Sequence, residues 1–223
     1  MKSLALFDDE ILAIRDGYQT MVARAMQPQP ETEAGGWSPW VGEIYPEWYW
    51  NHPRARHEDH RLANLSWEDA LLENPFGQPG DRLWVKEKIM QSMLLPLYND
   101  LGQLRRAHGI KYVADYTPVV YRPGAPEGYC GRAVWAWKLK TMTARNMPEW
   151  ASRFQLELGE IGIAEFNHLP DGTLKRLGLA GVRGPWVDWW NKHFPRRPAP
   201  EAKYGALWLW LIPFRLVDMR GLS

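Results

Sequence analysis

The chain has 223 residues, with 27 Lys and Arg against 26 Asp and Glu and a formal net charge of +1. This length fits one domain with insertions or two small ones, and the charge balance excludes a surface-wide field for polyanions, so any nucleic-acid contact must come from a local patch. The single cysteine, Cys130, excludes an internal disulfide and suits a reducing compartment.

The N-terminus, MKSLALFDDEILAIRDG, carries acids where a signal peptide needs an apolar run. The longest apolar stretch, ALWLWLIPF, is far short of a membrane span. Both point to a cytoplasmic protein with no membrane partner. The outlying figure is 14 Trp. Such rings fill cores or stack on bases, and the core is the default for each one.

In chain order, DDEILAIRDG predicts a short helix over 8–17, with Asp8 or Asp9 as the cap and Gly17 as the stop. Residues 18–27 read as extended, and Pro28 and Pro30 then end regular structure. Residues 31–73 mix Gly, Pro, aromatics and charges without a period and read as an insertion. Within it, SWEDALLENP predicts a helix, with Ser66 as N-cap and Asp69 as an approximate capping box.

FGQPGDRLWVKEKI predicts a type II turn at Pro79-Gly80 and then a strand. Leu83, Val85, Glu87 and Ile89 share one face, and Arg82, Trp84, Lys86 and Lys88 the other. Residues 90–134 are weakly patterned, with a strand or two in IKYVADYTPVVYRPG. SRFQLELGEIGIAEF reads as one strand. Residues 173–193 read as helical with an interruption at Gly178–Gly184. GALWLWLIPFRLVDM reads as a buried central strand in which Pro213 demands a bulge or an edge. The sum is an α+β fold around a small, strongly bent sheet or barrel.

Chemistry-bearing motifs are scarce. His52, His57 and His60 have metal-like spacing, but Arg54, Arg56 and Arg61 oppose a cation, so a solvated loop is expected and no metal. Cys130 lies near Arg132 with no His close in sequence and reads as incidental. No P-loop, G-x-G-x-x-G or G-x-S-x-G occurs. No cofactor is expected. From Arg122 to Arg153, cations outnumber acids and interleave with Trp135, Trp137 and Trp150. In WAWKLK the two Trp share one strand face and Lys138 and Lys140 the other, an arrangement able to offer rings to bases and cations to phosphates.

Five words, in order, carry a resemblance: ILAIRDGYQTMVARAMQPQP, NPFGQPGDRLWVKE, YVADY, NMPEWASRFQLEL and YGALWLWLIPFRLV. Together they resemble the ASCH-domain proteins, a branch of the PUA-like β-barrels, and especially the longer phage and prophage members. The resemblance spans residues 11–217, with 31–73 and 90–134 as variable stretches. It implies a single domain over 1–223, a small β-barrel with flanking short helices and aromatic-rich insertions, and a cleft facing RNA or a nucleotide in a bacterial host cytoplasm.

Enzymatic relatives hydrolyse N4-acetylcytidine and carry G-x-K-T-x-T-x-R. Here that stretch is Gly17, Tyr18, Gln19, Thr20, Met21, Val22, Ala23 and Arg24. Gln19 stands for the Lys and Val22 for the nucleophilic Thr, and the family Glu falls on Leu177, with Glu165 as a substitute. Val22 has no nucleophilic atom and Gln19 cannot lower a neighbour's pKa, so loss of hydrolase chemistry is expected.

The leading expectation is therefore a non-catalytic module binding nucleic acid, RNA favoured over DNA. Thr20, Arg24, Arg82, Trp84, Lys86 and Lys88 form its binding face, with Trp84 either stacking on a base or packing the barrel. One alternative is a phage-encoded factor that blocks a host protein through Trp37, Trp40, Trp48 and Trp50. Another is an enzyme with a rewired site around Thr20, Glu87 and Glu165.

Overall fold

The computed structural model describes residues 2–27, 29, 50–56, 62–65, 67–98, 104–119, 140–179, 183–197, 199 and 207–219. Trp37, Trp40, Trp48, His57, His60, Ser66, Cys130 and residues 135–139 lie outside them. The elements run β1 (Lys2–Ala5), α1 (Asp8–Arg15), β2 (Met21–Ala25), β3 (Trp50–Arg56), β4 (Leu62–Leu65), α2 (Trp67–Leu72), β5 (Arg82–Lys86), β6 (Ile89–Tyr98), β7 (Leu104–Tyr112) and β8 (Thr141–Met142). They continue with β9 (Phe154–Leu158), β10 (Gly162–Glu165), α3 (Thr173–Arg176), α4 (Arg183–His193) and β11 (Trp208–Met219), and single 3-10 turns cover Ala144–Asn146 and Glu149–Ala151. The content is mixed α+β with short helices, as expected. No helix among the described residues is long and apolar enough to cross a membrane.

Two compact units form, each from separated stretches of chain. The first comprises Met1–Gly17, Arg82–Glu157 and Leu216–Ser223, and the second Tyr18–Asp81 and Leu158–Arg215.

In the first unit, β1 runs parallel to β5, with Lys2 opposite Leu83, and β9 runs antiparallel on the other side of β5, with Leu156 opposite Leu83. The inward face read in DRLWVKEKI is found, with Leu83, Val85, Glu87 and Ile89 all buried, but the strand ends at Lys86, Ile89 opens β6, and Trp84 of the other face is buried as well. The cap of α1 differs from expectation. Neither Asp8 nor Asp9 is the N-cap. Phe7 occupies that position, and its N–H donates to the Glu10 carboxylate at 2.9 Å. Gly17 ends the helix as expected, with φ +78° and its N–H on the Ile14 carbonyl at 3.1 Å.

The first unit also holds a hairpin, β6 with β7, and β8 pairs on the far side of β6. The sequence gives little warning of β6. Its IMQSMLLPLY has no period of two and contains Pro96, which pairs with Arg106 near the Tyr98–Leu104 end of the hairpin, away from its open end at Ile89 and Tyr112. Ile89, Ile110, Tyr112, Met147 and Ala151 form a small core beneath it.

In the second unit, β11 is flanked antiparallel by β10 and β2. The expected single strand over 152–166 is two, β9 and β10. It breaks at Gly159, whose N–H donates to the Pro213 carbonyl at 2.8 Å and where a Cβ would sit 3.3 Å from the Pro213 ring. Pro213 is tolerated because β10 pairs only as far as Leu211, opposite Gly162. On the β2 side the ladder continues through the Phe214 N–H, which donates to the Thr20 carbonyl at 3.0 Å. The type II turn is present: the Asp81 N–H reaches the Gln78 carbonyl at 3.0 Å and Gly80 has φ +89°. β3 and β4 pair inside the stretch read as an unpatterned insertion.

Trp186, Trp190 and Phe166 centre the second core, packed with Leu177, Leu209 and Leu211. Phe166 stacks on Trp186 at 5.0 Å, and Trp190 on Phe194 at 4.2 Å. The Trp190 indole N–H donates to the Arg197 carbonyl at 2.8 Å. For these rings, the core role is the one observed.

Candidate functional site

The first unit buries a polar network that begins on the apolar face of β5. Glu87, the residue after β5, lies buried with Val85 and Ile89. A carboxylate there requires a partner. Arg153, just before β9, supplies it: Nε donates to Oε1 at 2.9 Å and Nη2 to Oε2 at 2.8 Å. The remaining nitrogen, Nη1, donates to Asp115 Oδ2 at 2.6 Å and to Thr117 Oγ1 at 2.7 Å. The guanidinium lies over the rings of Tyr112 at 4.0 Å and Phe154 at 5.0 Å.

Asp115 ties the network to the turn after β7. Its Oδ1 accepts the Thr117 N–H at 3.1 Å and hydroxyl at 2.6 Å, and Arg15 of α1 adds a bond to Oδ2 at 3.2 Å. The two carboxylates diverge in acidity. Burial pushes Glu87 up to about 7, opposed by the Arg153 hydrogen bonds and charge and assisted by the negative charges of Asp115 and Asp8. For Asp115, burial is the largest influence and acts upward, but the bonds from Arg153 and Thr117 outweigh it and hold the group at about 2. Both Glu87 oxygens are taken by Arg153 and neither is exposed, so this carboxylate fixes structure and offers no free acceptor to a substrate.

The sequence singled out Glu87, counted Arg153 among cations able to face phosphates, where it is instead buried, and missed Asp115. The signal was available: an acid on the apolar face of a strand needs a buried cation, and Arg153 follows directly on the apolar turn MPEWAS.

Of the expected binding residues, Arg82, Trp84, Lys86 and Lys88 belong to the first unit, and Thr20 and Arg24 to the second. Arg82 is exposed. Trp84 is only 8 % exposed and packs into the interior. Lys86 lies over the Trp84 ring at 4.9 Å and donates to the Arg145 carbonyl at 3.2 Å. Lys88 pairs with Asp8 at 3.0 Å. Arg24 is half-buried, and its Nη1 donates to the Ala23 carbonyl at 2.8 Å. Thr20 is exposed, and its backbone bonds to Arg176 and Phe214.

Gln19 and Val22, the positions that the resemblance set against a catalytic pair, are internal. Val22 is fully buried. Gln19 is buried and donates its amide to the Met21 carbonyl at 2.8 Å. Leu177 belongs to the core, and Glu165 bonds His168 at 2.8 Å. No group of three or more His, Cys, Asp or Glu among the described residues could hold a metal ion. Compared with known protein families, curated proteins and solved structures, the chain matches none.

Proposed function

We propose that the protein is a non-catalytic nucleic-acid-binding module with the PUA-like barrel architecture of the phage and prophage ASCH proteins, taking RNA in preference to DNA. The observation that supports it is how charge is distributed in the first unit. Asp8, Asp16, Glu87 and Asp115 are held by Lys88, Arg15 and Arg153. Arg82, Lys140 and Arg145 are exposed and make no ion pair among the described residues.

Arg82 and Lys86 alternate onto one face of β5, about 13 Å apart at strand spacing. Lys86 holds the backbone of Arg145 beside them. A cationic stripe of this kind suits a phosphate backbone. The preference for RNA rests on the resemblance. The absence of a nucleophile at Val22, and the burial of Gln19, support the non-catalytic reading.

The test is fluorescence anisotropy with short single-stranded RNA, single-stranded DNA and duplex at two salt concentrations. Salt-sensitive binding to RNA is expected. The double variant Arg82→Ala/Arg145→Ala should weaken it and lower the salt slope by about 0.7 for each phosphate no longer neutralised. A chain that binds none of the three probes overturns the reading.

A further inference from the structure

We propose that Tyr116 and Lys111 form a stacking site for one unpaired nucleobase and its phosphate. The inference rests on the nucleic-acid reading above and assigns it a residue that the sequence did not single out.

Tyr116 has φ +61°, and no other non-glycine residue among the described ones has a positive φ. A bulky side chain rarely adopts this conformation, which persists only where the surroundings over-determine it. They do so here. The Tyr116 N–H donates to the Tyr112 carbonyl at 3.1 Å, the Tyr112 N–H to the Thr117 carbonyl at 2.9 Å, and the Val119 N–H to the Ile110 carbonyl at 2.8 Å. Asp115 grips Thr117 twice and is itself gripped by Arg153 and Arg15. The buried network thus has an outward product: it fixes a turn that a glycine or asparagine would enter at less cost, and the residue it displays is an aromatic.

The display is open, with Tyr116 62 % exposed. Lys111 Nζ stands 4.7 Å from the ring centroid. Lys111 pairs across the sheet with Met90, which pairs in turn with Thr141, so these three share the outward face while Ile89, Ile110 and Tyr112 point to the core. Exposed Lys140 precedes Thr141.

The chemistry selects the ligand class. Lys111 covers one face of the ring; the other can recognise a π-system, and the ammonium an anion. A cationic ligand is disfavoured because the ring already carries a cation. A nucleotide of an unpaired strand supplies both partners: the base stacks on Tyr116 and its phosphate reaches Lys111.

The test compares the full-length chain with Tyr116→Phe, Tyr116→Ala and Tyr116→Gly. The probes are labelled single-stranded oligoadenylate RNA and an abasic ribose-phosphate strand of equal length. Tyr116→Ala should raise Kd for oligoadenylate about 5- to 150-fold, the range for losing one base–aromatic stack. Tyr116→Phe should keep wild-type affinity, and the abasic strand should not distinguish the variants. Tyr116→Gly should lose the stack while its Tm stays level or rises, because glycine relieves the backbone.

Oligoadenylate binding by Tyr116→Ala equal to wild type overturns the stacking site and leaves the nucleic-acid reading standing. Failure of the wild-type chain to bind either probe overturns both. Loss on both probes together with a lowered Tm for Tyr116→Gly assigns Tyr116 a packing role and overturns the site.

Discussion

Arg153 closes on Glu87 through two parallel hydrogen bonds of 2.9 and 2.8 Å, and the side chains are only 2 % and 0 % exposed. The same guanidinium also holds Asp115, so one cation orders the end of β5, the turn after β7 and the entry to β9. The network explains why two words far apart in sequence, DRLWVKE and ASRF, belong together in the fold.

Removing the cation leaves Glu87 buried and unpaired. Arg153→Met should cost about 3–5 kcal/mol, the usual penalty for breaking a buried ion pair from one side. Urea denaturation monitored by tryptophan fluorescence measures it. A loss below about 1 kcal/mol, the level of an exposed pair, would show the network to be dispensable.

The two carboxylates give stability opposite pH dependences. Glu87 has a folded-state pKa raised from 4.5 to about 7, so the folded state binds the extra proton and stability falls as pH rises through that window. Asp115 has a folded-state pKa lowered from 3.8 to about 2, so its contribution is present above that window and is lost as pH falls through it. Between pH 4.5 and about 7, Glu87→Gln should flatten the decline expected of the wild-type chain. Denaturation midpoints across that range report it, and an unchanged slope would assign the decline to another group.

Gly77 and Gly80 separate backbone strain from collision. Gly80 has φ +89° and open space around it, so Gly80→Ala should cost only the left-handed penalty, about 1 kcal/mol. Gly77 has φ +138°, and a Cβ there would lie 2.5 Å from Asp81 Oδ2, the atom that accepts the Gln78 N–H at 2.9 Å. Gly77→Ala should therefore cost more than Gly80→Ala. Thermal melts of the two variants give the order, and equal losses would show that Asp81 moves aside freely.

Trp190 is fully buried among aromatic rings. Trp190→Ala should cost about 3–5 kcal/mol. Trp190→Phe should keep most of the packing but leave the Arg197 carbonyl without its indole donor, for a loss of about 1 kcal/mol. Chemical denaturation of both variants distinguishes the packing share from the hydrogen-bond share.

Local signals in the sequence determined the local structure. The stop at Gly17, the Pro79-Gly80 turn, the buried face of Leu83, Val85, Glu87 and Ile89, and the apolar run of β11 each depend on a few adjacent residues, and each is found as read. Where order comes from distant partners, reading the chain gave less. β6 carries no alternation of its own and is a strand because β7 and β8 pair with it. The strand expected over 152–166 breaks at Gly159, where Pro213, more than fifty residues on, fits against it. Trp84 alternates with Arg82 and Lys86 on the face read as a binding surface, yet it is buried.

The Glu87–Arg153–Asp115 network and the turn that displays Tyr116 belong wholly to tertiary structure. A buried charge is stable only once its partners have arrived from elsewhere in the chain, and those partners then decide which neighbouring side chain faces solvent.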